Sequence, residues 1–345
     1  MPLPFGPPVE PMLAKLEPRV PTGDGWRYEP KWDGFRGIVF RDGDSVRIGS
    51  RGGKELQRYF PELLEGLAGA LPDRAVVDGE IVVAWDGVLD FEVLQQRIHP
   101  AASRVNRLAK ETPSSFVAFD LLAEGGDDLR GMPLAERWER LTAMIPKRST
   151  AQTMKAILAP KTRVVLTPHT AKADEAERWF EELEDFGLDG VIAKHEGITY
   201  QPGKRAMVKV KHQRTIDVVV GGYRIHKSGQ GVGSLMLGLY DRGELRHIGA
   251  AGAFSTKARK ELEAKLEPLR TEESFPGGVI LGGPSRWRAQ EKDWIPVEPV
   301  LVCEVAYDHF QGDRFRHLAQ FVRWRPDRDP QSCTFDQDAR VGRRR

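Results

Sequence analysis

The chain has 345 residues and a formal net charge of +2, with 40% hydrophobic and 30% charged residues. At about 100–200 residues per domain, this length predicts two domains, and the ordinary globular composition excludes an intrinsically disordered protein. Two cysteines without metal-ligand spacing exclude a disulfide framework and a structural zinc site, and no apolar run approaches the roughly 20 residues of a membrane span.

The first 25 residues are rich in proline and glycine and predict an irregular segment. They lack the basic region of a signal peptide, so we expect a reduced protein of the cytoplasm. Residues 26–51 contain an Asp-Gly-Asp turn at 42–44 and predict a hairpin or meander. A second hairpin is predicted over residues 75–90, where residues 78–80 (DGE) stand between two apolar strands.

The rest of the first part mixes helical and strand patterns. Apolar residues at helical spacing predict helices over residues 56–71, 91–98, 134–145 and 173–187. Runs rich in β-branched and aromatic residues predict strands over residues 114–122, 189–197 and 206–213.

After residue 217 the pattern changes to five short strands separated by turns, with one helix near residues 256–270. This pattern predicts a small closed or partly open β-barrel, for which the OB-fold is one candidate. We place the boundary so that the domains are 1–212 and 213–345, the second ending in a basic tail. The second part has 22 Lys and Arg against 18 Asp and Glu, a charge of +4, which permits a polyanionic partner.

The sharpest local pattern is KWDGFR at residues 31–36. A lysine can act as a covalent nucleophile once it loses its proton, so Lys31 is a candidate. The Asp-Gly pair predicts a tight turn that brings a phosphate to this lysine, and Arg36 could hold the phosphate with two hydrogen bonds. The alternative interpretation is a hairpin whose charged positions are exposed.

Further charged segments follow along the chain. They are SRGGK (50–54), DGE (78–80), VAFD (117–120), DGVIAK (189–194), VKVK (208–211) and RWRPDR (323–328). In VKVK the two lysines alternate with valines and so share one side of a strand. In this order and spacing, the segments resemble the six nucleotidyltransferase motifs of ATP-dependent DNA ligases. The resemblance runs from about residue 11 to residue 330 and is greatest to the small two-domain bacterial ligases of the C type, which are related to the ligase module of the end-joining ligase D.

This resemblance implies an α+β fold, in which a nucleotidyltransferase (ATP-grasp-like) adenylation domain precedes a β-barrel OB-fold domain. It implies an enzyme that seals 5′-phosphate/3′-hydroxyl nicks in duplex DNA, through a lysine–AMP intermediate and then adenylated DNA. The implied substrate and cofactor are ATP and Mg²⁺, with Mn²⁺ as a substitute. The expected partner is nicked duplex DNA, without a membrane, for a monomer that works in DNA repair in the cytoplasm and associates with the nucleoid.

The resemblance also assigns the site residues. Lys31 becomes adenylated. Glu29 recognises the adenine edge, and Phe119 stacks on the adenine ring. The ribose and phosphate contacts fall to Arg36, Arg51, Glu80, Lys194, Arg205, Lys209 and Lys211. The terminal motif, which acts on the pyrophosphate in the first step, comprises Arg323, Arg325, Asp327 and Arg328. The resemblance assigns metal binding to Glu80 and Asp189.

Three positions depart from the family pattern. Asp189 stands where many ligases have glutamate, which suggests a metal held through water. Arg328 replaces a lysine, and Trp138 occupies a position where relatives often carry arginine and is expected to be structural. We expect the histidines His99, His169 and His195 to be surface or core residues rather than ligands. Trp287 and Trp294 are expected to be buried, with contact to DNA as the alternative.

Two alternative functions remain open from the sequence. The first keeps the fold and changes the substrate, giving an RNA ligase or an mRNA-capping guanylyltransferase. The second is a nucleic-acid-binding module that has lost catalysis, although every charged position of the motifs is filled.

Overall fold

The computed structural model describes residues 2–212, 214–279, 294–308 and 310–337. The chain divides into two compact units, residues 1–212 and residues 213–345, and each has its own buried apolar clusters. The predicted basic tail and Trp287 lie outside the described residues.

The first unit contains two β-sheets. Its strands are β1 (Leu13–Leu16), β2 (Trp26–Pro30), β3 (Phe35–Asp42), β4 (Ser45–Ser50), β5 (Arg74–Trp85), β6 (Val88–Leu89), β7 (Ser114–Glu124), β8 (Asp127–Asp128), β9 (Val164–Leu166), β10 (Val191–His195) and β11 (Arg205–Val210). One sheet has the order β1-β11-β10-β2. The other has the order β4-β3-β5-β7-β8, with β6 paired to β5 and β9 paired to β7.

Six α-helices cover these sheets. They are α1 (Pro61–Ala70), α2 (Phe91–Gln95), α3 (Ala102–Glu111), α4 (Leu134–Met144), α5 (Thr150–Leu158) and α6 (Ala173–Glu182). The predicted helices correspond to α1, α2, α4 and α6, although α6 ends five residues early. A 3₁₀ turn follows it up to Gly187, whose φ of 86° only glycine adopts readily.

Two helices, α3 and α5, were not predicted. The helix α3 buries Val105 and Leu108 on one face of an otherwise polar segment, a pattern of helical spacing that the sequence does show. The helix α5 begins with a capping box in which Ser149 and Gln152 bond each other's backbone amides. Signals for both helices are therefore present in the sequence.

The chain crosses from one sheet to the other between β2 and β3. The predicted hairpin is β3–β4, whose strands pair from Asp42 with Ser45 outward. The prediction of a meander over residues 26–51 is wrong, because β2 pairs with β10 in the other sheet. The link of residues 31–34 must therefore pass between the sheets, and it carries the candidate nucleophile.

The segment 78–80 is the interior of a strand. The sequence predicted two strands flanking these residues, but β5 is continuous from Arg74 to Trp85, with a register shift between Asp78 and Gly79. A Cβ on Gly79 would overlap the ring of Phe116 and a backbone oxygen of β7. Glycine thus lets β7 lie against β5 without interrupting it.

The second unit is a closed β-barrel. Its elements are β12 (Arg214–Ile225), β13 (Val232–Asp241), β14 (Glu244–Gly252), α7 (Thr256–Leu266), β15 (Ile295–Tyr307), β16 (Phe310–Gln311), β17 (Arg314–Phe315) and β18 (Ala319–Trp324). The barrel closes in the order β12-β13-β14-β18-β15, and the five predicted strands and the helix are confirmed. Inward side chains such as Tyr223, Leu235 and Val305 fill it. The α+β prediction is confirmed as well.

A buried ion pair joins the helix α4 to the strand β7. Arg137 is fully buried and donates from Nε and Nη2 to the carboxylate of Asp120, at 2.7 and 3.0 Å. Its Nη1 donates to the carbonyl oxygen of Ile198, at 3.0 Å. The neighbouring Trp138 packs on the His169 ring with centroids 4.1 Å apart, which agrees with a structural role for this residue.

We predict that Arg137→Ala lowers the free energy of unfolding by about 3–5 kcal/mol, because it leaves the Asp120 carboxylate buried without its cation. Arg140→Ala is the matched control on the same helix. Its pair with Glu124 is 39% exposed on each side and should contribute less than about 1 kcal/mol. Urea denaturation of both variants measures the difference, and equal losses would contradict the assignment.

Candidate active site

Seven of the predicted site residues line one cavity of about 270 Å³ in the first unit. They are Glu29, Lys31, Arg36, Arg51, Glu80, Phe119 and Lys209. They come from both sheets and from the link between them, so the crossing of the chain brings them together. Residues 11–14, at and just before β1, form another part of the wall.

Lys31 is fixed by its backbone and by an ion pair. Its amide donates to the carbonyl oxygen of Gly190 at 2.9 Å, and its carbonyl accepts from the amide of Asp189 at 3.2 Å. The Lys31 Nζ lies 2.9 Å from Asp189 Oδ2. Lys211 Nζ lies 3.0 Å from the same oxygen. One buried carboxylate therefore faces two ammonium groups.

The glycine of the KWDGFR segment serves close packing rather than a tight turn. Residues 31–34 form a bend in which Gly34 has no positive φ. A Cβ at this position would overlap the carbonyl oxygen of Ile81 on β5. The predicted tight turn is therefore wrong, and glycine is needed because the link presses against β5.

Arg36 is held in place by Asp78. Its Nε and Nη2 each donate to one oxygen of the Asp78 carboxylate, at 2.6 Å in both cases. The guanidinium carbon lies 4.3 Å from the centre of the Phe119 ring. Lys194 Nζ lies 4.6 Å from the same ring centre. Two cations therefore lie over the Phe119 ring, which forms the aromatic wall of the cavity.

Glu29 and Lys194 form a second buried pair. Lys194 Nζ lies 2.7 Å from Glu29 Oε1 and also donates to the carbonyl oxygen of Phe119 at 3.3 Å. Burial raises the pKa of the Glu29 carboxyl, and the Lys194 ammonium opposes the shift. Lys194 therefore anchors the glutamate beside the aromatic wall.

Glu80 lies directly across from Arg36 in the β3–β5 register. Burial raises the pKa of its carboxyl to about 7, while Arg36 and then Lys31 pull the pKa down. A cation bound beside this carboxyl would oppose the shift, because a nearby positive charge favours the ionised form.

The residues present fit a divalent cation at Glu80 better than at Asp189. Glu80 lines the cavity, whereas Asp189 is only 3% exposed and already binds Lys31 and Lys211. A cation at Asp189 would therefore bind through water or would displace a lysine. Over the described ranges of the chain, no group of three or more His, Cys, Asp or Glu side chains is arranged to hold a metal.

The remaining basic residues of the motifs differ in whether they line the cavity. Arg51 is exposed in the loop after β4 and lines the cavity. Arg205 is exposed at the first position of β11, opposite Leu13, and does not line the cavity. Lys211 follows the last residue of β11, so only Lys209 of the VKVK pair lies within the strand.

The terminal motif lies in the second unit, where each arginine is paired with an acid. Arg325 donates from Nη1 to both oxygens of Asp217 at 3.0 Å and from Nη2 to Asp327 at 2.9 Å. The hydrogen bond from Arg325 lowers the pKa of Asp327 to about 2. Arg323 lies 2.6 Å from Glu304, and Arg328 lies 3.6 Å from Asp217.

The remaining sequence predictions concern residues outside the cavity. His99 and His195 each hydrogen-bond to a nearby backbone amide, and burial lowers the pKa of His169 to about 4. Trp294 packs against Phe275 in the barrel. Both cysteines are buried and free.

The sequence reading missed two residues that contact the site. Asp78 stands in the DGE segment but received no role, because its partner across the sheet was unknown. Tyr200, in the link between β10 and β11, donates its hydroxyl proton to Asp78 at 2.6 Å. No motif signalled Tyr200.

Comparison with known proteins finds two matching family models and several similar proteins. A family model described as the ATP dependent DNA ligase domain matches residues 11–211, and one described as the ATP dependent DNA ligase C terminal region matches residues 228–328. DNA ligase C2 of Mycolicibacterium smegmatis is 50% identical over 353 residues, which cover 98% of this chain and 96% of that protein.

Two further likenesses are more distant. The multifunctional non-homologous end joining DNA repair protein LigD of Mycobacterium tuberculosis is 34% identical over 312 residues, covering 88% of this chain and 37% of that protein. A solved structure of a Lig E DNA ligase has a TM-score of 0.56 at 17% identity and covers 92% of this chain and 99% of that chain. This last likeness supports the fold alone.

The α+β unit and the barrel that follows it define a nucleotidyltransferase domain joined to an OB-fold domain. The chain belongs to the ATP-dependent DNA ligases. It is an enzyme of that family, which uses ATP and a divalent metal and acts on nicked DNA. The predicted DNA ligase is confirmed against the RNA ligase and capping-enzyme alternatives. Within the described part of the chain, no helix is long and apolar enough to cross a bilayer.

We predict that the Glu80 carboxyl makes the stability of the protein depend on pH. A carboxyl whose pKa rises from 4.5 to about 7 on folding stabilises the fold while it is protonated, and that contribution is lost as the pH rises through 7. Relative to Glu80→Gln, the wild type should therefore lose melting temperature between pH 5 and pH 8. Parallel melting curves for the two proteins across this range would show that Glu80 titrates normally.

Proposed function

We propose that this ligase seals 5′-phosphate/3′-hydroxyl nicks in duplex DNA, with Lys31 as the residue that becomes adenylated. The observation that carries the assignment is the position of Lys31 in a cavity with six other charged or aromatic residues of the motifs. The first unit, residues 1–212, would act as the adenylation domain, and residues 213–345 would form the OB-fold domain.

In the first step Lys31 Nζ attacks the α-phosphorus of ATP, a nitrogen–phosphorus bond forms, and pyrophosphate leaves. The lysine must first lose a proton. Lys31 and Lys211 share the Asp189 carboxylate, which holds the two side chains close together. Lys211 then remains as the cation that faces the reacting phosphate.

The nucleotide would be held by the residues around this lysine. Phe119 offers its aromatic ring to the adenine, and Glu29 accepts a hydrogen bond from the adenine edge. Arg36 and Arg51 contact the ribose and phosphates, and Lys209 contributes positive charge. Lys194 acts through Glu29, because their pair fixes the carboxylate. Arg205 would contribute only by moving, since it does not line the cavity.

A divalent metal, for which we propose Mg²⁺ with Mn²⁺ as a substitute, would neutralise charge on the phosphate oxygens. Glu80 would hold it directly and Asp189 through water. In the two later steps the AMP passes from Lys31 to the 5′-phosphate of the nick, and the 3′-hydroxyl then attacks that phosphate and releases AMP. Each step is a displacement at phosphorus, so positioning and charge supply most of the catalysis.

The arginines of the terminal motif would act on the pyrophosphate in the first step. Arg323 and Arg325 now bind carboxylates, and the triphosphate would replace these acids as the anionic partner. Asp327 and Arg328 would hold Arg325 and its surroundings in place. The two later steps release no pyrophosphate and should not need these arginines.

We further propose a monomer that works in DNA repair. The name of one relative includes the terms end joining and DNA repair, which supports the repair role. Because its substrate is chromosomal DNA, we place the enzyme in the cytoplasm, in association with the nucleoid.

Lys31→Ala should abolish the covalent AMP adduct and nick sealing from ATP, because no other group replaces the nucleophile. It should still seal a nick that already carries AMP, since that step no longer uses the lysine. Gel assays with ATP labelled in the α-phosphate measure both. The exposed Lys110 on α3 gives the control Lys110→Ala, which should behave as the wild type. An adduct on Lys31→Ala would show that another residue is the nucleophile.

Arg323→Ala and Arg325→Ala should reduce adduct formation at least about tenfold, as expected for loss of a charged phosphate contact. Sealing of the pre-adenylated nick should fall less than about twofold. Rates of the two half-reactions measure the split. Equal losses in both assays would mean that these arginines support the barrel in general rather than the first step.

A further inference from the structure

A closed ring of hydrogen bonds links Arg36 to Tyr200. Arg36 Nη2 donates to Asp78 Oδ2 at 2.6 Å, and the Tyr200 hydroxyl donates to the same oxygen at 2.6 Å. The amide of Met12 donates to the Tyr200 oxygen at 3.1 Å. The Met12 carbonyl accepts from Arg36 Nη2 at 3.5 Å, which closes the ring. The ring therefore joins the arginine to the segment that forms one wall of the cavity.

The members of the ring are buried and far apart in sequence. Tyr200 is 4% exposed, Met12 is 1% exposed and Asp78 is fully buried. Tyr200 lies 188 residues after Met12 and 122 residues after Asp78. Burial raises the pKa of the Tyr200 hydroxyl, and the charge of Asp78 raises it further. The hydroxyl consequently keeps its proton and remains a donor to the carboxylate.

The ring determines which part of Arg36 can reach a ligand. Asp78 binds Nε and Nη2, and no hydrogen bond from Nη1 occurs among the described residues. The two bonds from Arg36 fix the carboxylate relative to the guanidinium, and the Tyr200 hydroxyl is a third donor that ties this pair to the link between β10 and β11. The tyrosine thus orients Asp78, and Asp78 orients the guanidinium above the Phe119 ring so that Nη1 is the group left for the nucleotide.

We propose that Tyr200 is a positioning residue for nucleotide binding, which acts through Asp78 on Arg36. The inference rests on the proposed function, because it requires that ATP binds in the cavity that Arg36 lines. Tyr200 itself does not line this cavity, so its influence on the nucleotide must pass through the ring.

The test is Tyr200→Phe in the full-length enzyme, with Tyr28→Phe as the matched control. Tyr28 is 1% exposed in the same unit, and its hydroxyl donates to the Pro21 carbonyl oxygen at 2.6 Å, away from the ring. Both variants lose one hydroxyl; Tyr28→Phe removes one hydrogen bond, and Tyr200→Phe removes the bond donated to Asp78 and the bond accepted from Met12. Melting temperatures report the structural loss, and adduct formation over a range of ATP concentrations gives KM and the maximal rate.

Tyr200→Phe should raise the KM for ATP about tenfold and change the maximal rate less than about twofold, because a hydrogen bond to a charged group is lost. Tyr28→Phe should lower the melting temperature by a smaller amount and leave KM unchanged. The same Tyr200→Phe change in an Arg36→Ala background should have no further effect on KM, because the residue through which it acts is gone.

Three results would overturn the proposal. The first is an unchanged KM in Tyr200→Phe, and the second is an equal rise in KM in Tyr28→Phe. The third is an undiminished effect in the Arg36→Ala background, which would trace the influence to the Met12 segment instead. Failure of the proposed function itself is distinguishable, since the wild type would then form no adduct at any ATP concentration.

Discussion

The site depends on the passage of the chain between two sheets at residues 31–34. The strand β2 belongs to one sheet and β3 to the other, so the link has no strand partner along its length. Backbone hydrogen bonds with Asp189 and Gly190 fix it on one side, and on the other Gly34 lies against Ile81, where a larger residue would not fit. Lys31 is therefore held between the sheets by its backbone, whatever its side chain binds. A nucleophile placed in this way loses little freedom when the substrate enters.

Four cations in or beside the cavity are paired with acids in the free protein. Lys31 and Lys211 share Asp189, Lys194 binds Glu29 and Arg36 binds Asp78. A buried unpaired charge would be costly in a medium of low dielectric constant, so each cation needs a partner in the free protein. A net charge of +2 therefore says little about the charge at the site, where these cations and acids are concentrated.

Regular elements were predictable where one face of a segment packs on a core. The five barrel strands and the helices α1, α4 and α6 follow from alternation or helical spacing, because buried positions select apolar residues at the period of the backbone. The helices α3 and α5 were missed although helical spacing in α3 and the capping box of α5 are present in the sequence. The continuity of β5 through residues 78–80 was missed for another reason. Its polar residues Asp78 and Glu80 resemble a turn in sequence, and their acceptance within a strand depends on Arg36 and Tyr200, which come from other elements.

The sequence by itself determined the family, the order of the motifs, the residue that becomes the candidate nucleophile and most of the residues that line its cavity. These features are local, because a motif needs certain residue types at fixed spacing to perform its chemistry. Only the tertiary structure decided which acid each cation binds and that Tyr200 belongs with Arg36. Such pairings join residues that are far apart in the sequence, and their energies depend on burial and on distances of a few ångströms. Spacing along the chain carries no information about either quantity.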